Sequence, residues 1–386
     1  MISILFIHQS AELYGSDKTL LSLVKGIDKK RFRAVVILPF DGPLKHELEK
    51  NGIKVVIAPV LKLYRKIFTP KNILRFFKDI RKAFTIVDEL NKEFKFEFLY
   101  SNTLAVLLGI FYARKSKIKH LWHVHEIIES PGIFSKLFRY LLGLKLNTKI
   151  IYNSLATKVF WEVNTKISSR SLLIHNGLTV AGTPLSKAEI AEVRKELFNA
   201  GASEIIIALV GRISRWKGQQ ILLNCFNALA KTHQNVKLVF VGSPPPNQEF
   251  FLSELQDRIE HLKLSDRVVL IPFTAEIEKI WQSIDIAIVP STEPEPFGLV
   301  ALEAMLAHKP VIGSNHGGLT EIIVNEQTGF LVEPNNENQL CAAIQKLVDS
   351  EALRNEFGEK GYKHALTEFS EKKYINSFEE LFEKMV

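Results

Sequence analysis

Cysteine is almost absent from this 386-residue chain: Cys225 and Cys341 are the only two, far apart and outside any Cys-x-x-Cys spacing. Their scarcity excludes a disulfide framework and a cysteine zinc site, and it leads us to expect two buried thiols. Long apolar runs are lacking too. The longest, residues 104–112, falls well short of the roughly 20 residues that cross a bilayer as a helix. The apolar start at residues 1–7 has neither a basic n-region nor a small-residue cleavage site, so it reads as a first buried strand of a cytoplasmic protein. No Asp-x-Asp triplet is present to hold a divalent metal at a diphosphate. A Gly-x-Gly-x-x-Gly after the first strand and a Gly-x4-Gly-Lys-[Ser/Thr] are also missing, which disfavours a nicotinamide enzyme and a P-loop NTPase.

What is present suits a soluble globular protein, with 46% hydrophobic and 24% charged residues. The length exceeds one ordinary core, so two domains are expected. Charge divides unevenly between them. Residues 1–181 hold 30 Lys+Arg against 14 Asp+Glu, while residues 182–386 hold 20 against 28. The basic surplus forms no arginine-rich tail and accompanies no nucleic-acid motif, so a membrane surface or an anionic acceptor suits it better than nucleic acid.

Short β-branched runs at 2–7, 34–38, 54–57, 96–100, 119–123 and 149–152 alternate with helical patterns and predict a parallel α/β sheet. Strand patterning stops after Gly177 in a polar segment with Gly182, Pro184 and Ser186. It restarts at 204–210, 236–241, 267–271, 285–289 and 310–312, with helices near 218–231, 249–263, 275–283 and 299–307. The expected domains are 1–177 and 178–372, each a Rossmann-like unit. A last helix over about 373–386 carries Phe378, Leu381, Phe382 and Met385 at helical spacing and could pack back on the first domain. Ligands of such sheets bind beyond the carboxyl ends of the strands, so two facing units would share one cleft.

The strongest chemical signal is Glu293-Pro294-Glu295-Pro296-Phe297-Gly298-Leu299-Val300-Ala301-Leu302-Glu303, between a strand and a helix. Its two acids, Glu295 and Glu303, can accept hydrogen bonds from sugar hydroxyls, and Gly298 lets backbone approach a ligand at a helix start. In the first domain, Tyr14-Gly15-Ser16-Asp17 joins strand to helix. Either its amides meet a phosphate, or Ser16 or Asp17 is a plain N-cap. Period-two alternation puts His123 and His125 on one side of a strand end.

The Glu295 to Glu303 segment, with Lys309-Pro310-Val311-Ile312-Gly313, Val210-Gly211-Arg212, Lys217-Gly218, Gly317-Gly318-Leu319-Thr320-Glu321 and Thr328-Gly329-Phe330, resembles the signature of glycosyltransferase family 4. Nearly the whole chain suits that family's layout. The resemblance implies a GT-B fold, transfer with retention, and no metal or other cofactor, the nucleotide sugar being a substrate. It implies that Glu303 holds the ribose, that Glu295 and the Phe297-Gly298-Leu299 backbone hold the donor sugar, and that His125 lies near the reacting sugar. Arg212 and Lys217 would clamp the diphosphate as its charge develops, with Arg215 as a competitor. Gly15 and Gly211 would line the donor site. The family often has two glycines where this chain has Gly15-Ser16.

The expected function is therefore transfer of a sugar from a UDP- or GDP-linked donor to a glycan or lipid-linked acceptor, as in bacterial surface polysaccharide assembly. A GT-B-shaped epimerase, a synthase with a soluble acceptor, and a non-catalytic scaffold are the alternatives. Residues 61–84 carry eight basic side chains against one acid, Asp79, interleaved with Leu63, Tyr64, Phe68, Phe76, Phe77 and Phe84. Such a helix suits an anionic membrane surface, or else its apolar stripe is core.

Overall fold

The computed structural model of the protein describes residues 1–63, 70–162, 165–180, 182–274 and 276–386, apart from the side chains at 70–74 and 165–166. The chain divides into two compact units, Met1–Gly177 with Glu371–Val386, and Leu178–Ser370.

The strands of the first unit are β1 (Ile2–His8), β2 (Phe32–Leu38), β3 (Lys54–Ile57), β4 (Phe98–Asn102), β5 (Lys119–Val124), β6 (Asn147–Tyr152) and β7 (Ser171–Leu173). They form one sheet in the order β3-β2-β1-β4-β5-β6-β7, every pair parallel. Its helices are α1 (Gly15–Gly26), α2 (Pro43–Lys50), α3 (Pro70–Phe94), α4 (Leu108–Ser116), α5 (Gly132–Gly143), α6 (Leu155–Trp161) and α7 (Thr165–Ser168). The second unit contains α8 (Lys187–Phe198), β8 (Ile205–Val210), α9 (Gln219–Leu229), β9 (Val236–Val241), α10 (Phe250–His261), β10 (Val268–Ile271), α11 (Ile277–Ser283) and β11 (Ile286–Val289). It continues with α12 (Leu299–Leu306), β12 (Val311–Ser314), α13 (Leu319–Ile322), β13 (Gly329–Val332), α14 (Glu337–Asp349) and α15 (Glu351–Glu368). Its parallel sheet runs β10-β9-β8-β11-β12-β13.

The continuous apolar strands follow from burial on both faces. In β1, Leu5 and Ile7 belong to one core layer, while Ile4 and Phe6 belong to the other. The second face of this sheet is closed by α16 (Glu371–Met385), whose Phe378 and Phe382 are fully buried. Phe382 lies 5.9 Å from Phe32 and 6.2 Å from Phe98. Polar ties fix its register, since Ser22 donates to Glu371 at 2.7 Å and the Asp28 N–H donates to Glu379 at 2.7 Å.

Two sequence expectations are corrected. The cysteines are not separate thiols: Cys225 on α9 and Cys341 on α14 are joined as a disulfide across 116 residues, with their Cα atoms 5.0 Å apart. Sequence spacing concealed this pairing because it depends on two helices that pack side by side over one sheet. Helix α1 begins earlier than either suggested cap allows. Its N-cap is Tyr14, and Asp17 sits at the third helical position, where Oδ2 accepts the Tyr14 N–H at 2.8 Å.

In the 61–84 segment, Tyr64, Arg65, Lys66, Ile67 and Phe68 lie outside the described residues, as do the side chains of Lys71, Ile73 and Leu74. Further along α3, Phe76, Ile80 and Phe84 pack on the core, whereas Arg75, Phe77, Lys78, Arg81 and Lys82 are exposed. Among the described residues no helix is long and apolar enough to cross a membrane.

Candidate functional site

Each sheet reverses its strand order once, between β1 and β4 in the first and between β8 and β11 in the second. Loops leaving the carboxyl ends of such strand pairs diverge and open a crevice. Most of the candidate residues come from these loops, while His125 follows β5 and Glu303 lies inside α12.

In the second unit, β8 ends at Val210 and the chain passes through Gly211, Arg212 and Lys217 to Gly218, the N-cap of α9. Gly218 has φ +79°, and a Cβ there would lie 2.1 Å from the Pro290 carbonyl oxygen. Only glycine lets the two loops meet so closely. They are tied by the Thr292 N–H, which donates to the Trp216 carbonyl at 2.8 Å. Lys217 Nζ then donates to Glu295 Oε1 at 2.6 Å and lies 4.3 Å from the centre of the Trp216 ring. Both members of this ion pair are largely buried, with side chains 14% and 8% exposed. The Ser291 hydroxyl donates to the same Glu295 oxygen, and the Glu295 carbonyl accepts the Gly318 N–H at 2.7 Å. Glu295 is thus held from three loops.

Glu303 lies one turn inside α12, where Trp281 Nε1 of α11 donates to its Oε2 at 3.2 Å. Gly298 caps α12 at φ +106°, and Leu299 is its first residue. The Phe297 ring is buried, edge-on to Phe369 at 5.7 Å, so this residue offers a ligand only its backbone. Arg212 is exposed, and its carbonyl accepts from Gln219 Nε2 at 2.8 Å. Arg215, the competing cation, is ion-paired with Glu293.

In the first unit, Gly15 is the first residue of α1, and His125 directly follows β5. His123 and His125 do lie together, with ring centroids 3.9 Å apart. His125 Nε2 is 2.8 Å from Asn102 Oδ1 at the end of β4 and 3.1 Å from His123 Nδ1. Asn102 Nδ2 is 3.0 Å from His8 Nδ1 at the end of β1, and His8 Nε2 is 2.5 Å from Asp17 Oδ1. Burial pushes the His125 imidazole down to about 3, with the nearby His8 adding to the effect. Its neighbour Glu126 is raised to about 7 by burial, against the pull of the Leu104 and His125 N–H groups that its Oε2 accepts at 3.0 Å.

The sequence did not single out His8, Asn102, Trp281 or Ser291. His8 and Asn102 were findable, since both are polar residues closing an apolar strand. Trp281 and Ser291 gave no such signal.

These features define the class: two parallel-sheet Rossmann-like units, with the chemistry-bearing loops of each at its strand-order reversal. Residues 192–364, within the second unit, match the family model for glycosyl transferases group 1. Similarity then extends to particular proteins. Over 251 residues, 64% of this chain, it is 28% identical to the capsular polysaccharide biosynthesis glycosyltransferase CapM of Staphylococcus aureus, matching 62% of that protein. It is also 28% identical over 242 residues to the lipopolysaccharide 1,2-N-acetylglucosaminetransferase of Salmonella typhimurium, covering 61% of each chain. The chain thus spans about three fifths of the length of these two curated relatives. Among solved structures, Anabaena HepE in complex with UDP and glucose superposes with a TM-score of 0.85 at 25% identity, over 99% of this chain and all of the other. The fold is that of the GT-B glycosyltransferases.

Proposed function

We propose that this protein is a retaining, metal-independent glycosyltransferase of family 4 that moves a sugar from a nucleoside-diphosphate donor to a glycan or lipid-linked acceptor in surface polysaccharide assembly. The observation that carries this reading is the cluster of Lys217, Glu295 and Ser291 beside the N-terminus of α9. As the bond from sugar to diphosphate breaks, negative charge grows on the leaving phosphate. A fixed ammonium and the free N–H groups of a helix start stabilise that charge without reorganising. Arg212, at the carboxyl end of β8, supplies a second cation, and Glu303 grips the ribose from α12. UDP bound to the similar HepE supports a uridine donor ahead of a guanosine one. The polysaccharide roles of the CapM and Salmonella relatives support the acceptor class. The exposed basic side chains of α3 support action at the cytoplasmic face of an anionic membrane.

Donor hydrolysis over a panel of UDP- and GDP-sugars tests this reading. Hydrolysis of at least one donor is expected, and replacing Arg212 or Lys217 with Ala should cut turnover about a hundredfold or more, the scale for losing one preorganised donor. Normal turnover in both variants removes the diphosphate clamp.

A further inference from the structure

We propose that Asp17, His8 and Asn102 form a relay of hydrogen bonds that locks His125 as its Nε2–H tautomer, so that Nδ1 meets the donor sugar as an acceptor for a hydroxyl. This deepens the proposed function and rests on His125 contacting that sugar. The four residues come from α1 and from the ends of β1, β4 and β5, and all are buried, at 1%, 0%, 1% and 9% exposure in the order Asp17, His8, Asn102, His125.

The direction of each bond follows from the donor inventory of the side chains. A carboxylate has only acceptors to give, so His8 Nε2 carries the proton that faces Asp17 Oδ1 at 2.5 Å. His8 Nδ1 then faces Asn102 Nδ2 at 3.0 Å and takes a hydrogen from it. The same amide donates to the Ser16 carbonyl at 3.2 Å, which independently fixes nitrogen on that side of Asn102. Its oxygen therefore faces His125 Nε2 at 2.8 Å and accepts from it.

A second ring nitrogen lies close to the same atom without claiming its proton. The Tyr100 hydroxyl, kept protonated by burial, lies 2.6 Å from His123 Nδ1, and that nitrogen's single bonding position serves this shorter contact, so its 3.1 Å approach to His125 Nε2 is a close ring contact and not a second hydrogen bond. Burial keeps the His125 ring neutral, and its one proton is claimed on Nε2. What remains for a ligand is the Nδ1 lone pair. Such a group favours a hydroxyl and rejects a carbonyl.

Asp17 also accepts the Tyr14 N–H at 2.8 Å, so one carboxylate sets the start of α1 and, through two side chains, the tautomer of a residue on another strand. Asn102 and His8 act as positioning residues.

The ring of His125 is read by nitrogen-resolved NMR of the full chain, with His125→Phe used to assign its signals. A protonated Nε2 and a bare Nδ1 are expected in the wild type. The opposite tautomer overturns the relay without reference to activity. Asn102→Ala and His8→Phe should each replace the single tautomer by a mixture and lower kcat about tenfold or more, while the affinity for UDP stays unchanged. A retained single Nε2–H tautomer in both folded variants also overturns the relay. Unchanged turnover in His125→Phe overturns the sugar contact instead, so failure of the relay and failure of the reading beneath it are told apart.

Discussion

Glu295 and Glu303 are eight residues apart, yet different elements hold them, and this separates their expected roles. Glu303 is oriented by Trp281, whereas Glu295 is paired with Lys217. Replacing Glu303 with Gln should weaken binding of the nucleoside diphosphate about tenfold or more, the scale of a hydrogen bond to a charged group. Glu295→Gln should not weaken it, since Lys217 is left without its carboxylate, yet it should impair sugar transfer. Calorimetric titration with UDP distinguishes the two, and equal affinity losses would contradict the division. Glu126 makes a separate claim. Its pKa is raised in the fold from 4.5 to about 7 by burial, so the folded chain holds a proton that the unfolded chain releases. Its contribution is complete below about 4.5 and is lost as pH rises to about 7. The buried histidines His120 and His125, with depressed values, work in the opposite direction over the overlapping range. The clean observable is therefore a difference: the melting temperature of Glu126→Gln relative to wild type should rise between pH 5 and pH 8. A flat difference would place the carboxyl in a solvated setting. At this scale the acids, glycines and cation of the second unit were legible because they lie within short sequence windows. The His8, Asn102 and His125 network was not, because its members lie on strands that become neighbours only through the sheet order.

Among the elements, α3 packs its apolar stripe on the core and leaves basic side chains exposed, so its membrane reading becomes a matter for test. Its Phe76, Ile80 and Phe84 are already used by the core, so apart from the exposed Phe77 its described outer face would act on a membrane through the charge of Arg75, Lys78, Arg81 and Lys82. Co-sedimentation with anionic liposomes should be strong at low salt, absent with neutral lipid, and greatly weakened by replacing Lys71, Arg75, Lys78 and Arg81 with Gln. If each cation contributes about 1 kcal/mol, four such changes account for most of the attachment. Raising the salt should mimic the variant, because screening shortens the reach of these charges. Binding that ignores lipid charge would return α3 to a plain core helix. The long apolar strands were read from sequence to within a few residues, since burial on both faces writes an unbroken apolar run. Two of the four edge strands escaped notice. Ser171–Leu173 is three residues long and only half-buried, and Gly329–Val332 opens on a glycine after a polar turn, so neither writes a β-branched run like the others.

For the molecule as a whole, the proposed chemistry uses fixed cations where other transferases use a metal, so full activity is expected in excess chelator. Activity that is lost there and restored by magnesium or manganese would contradict the metal-free reading. The two units differ in how the chain completes them. Leu178–Ser370 is one continuous stretch, whereas the first unit takes its closing helix from Glu371–Val386. Synthesis runs from the first residue to the last, so the whole second unit emerges before that helix exists. At about 5 to 20 residues per second this interval lasts roughly 10 to 40 s. Throughout it, Phe6, Phe32, Phe98 and Tyr100 lack the cover that Phe378 and Phe382 later provide. The unit made first is therefore finished last, and a nascent chain stalled anywhere before Glu371 carries an apolar sheet face that a chaperone must shield or a protease will find.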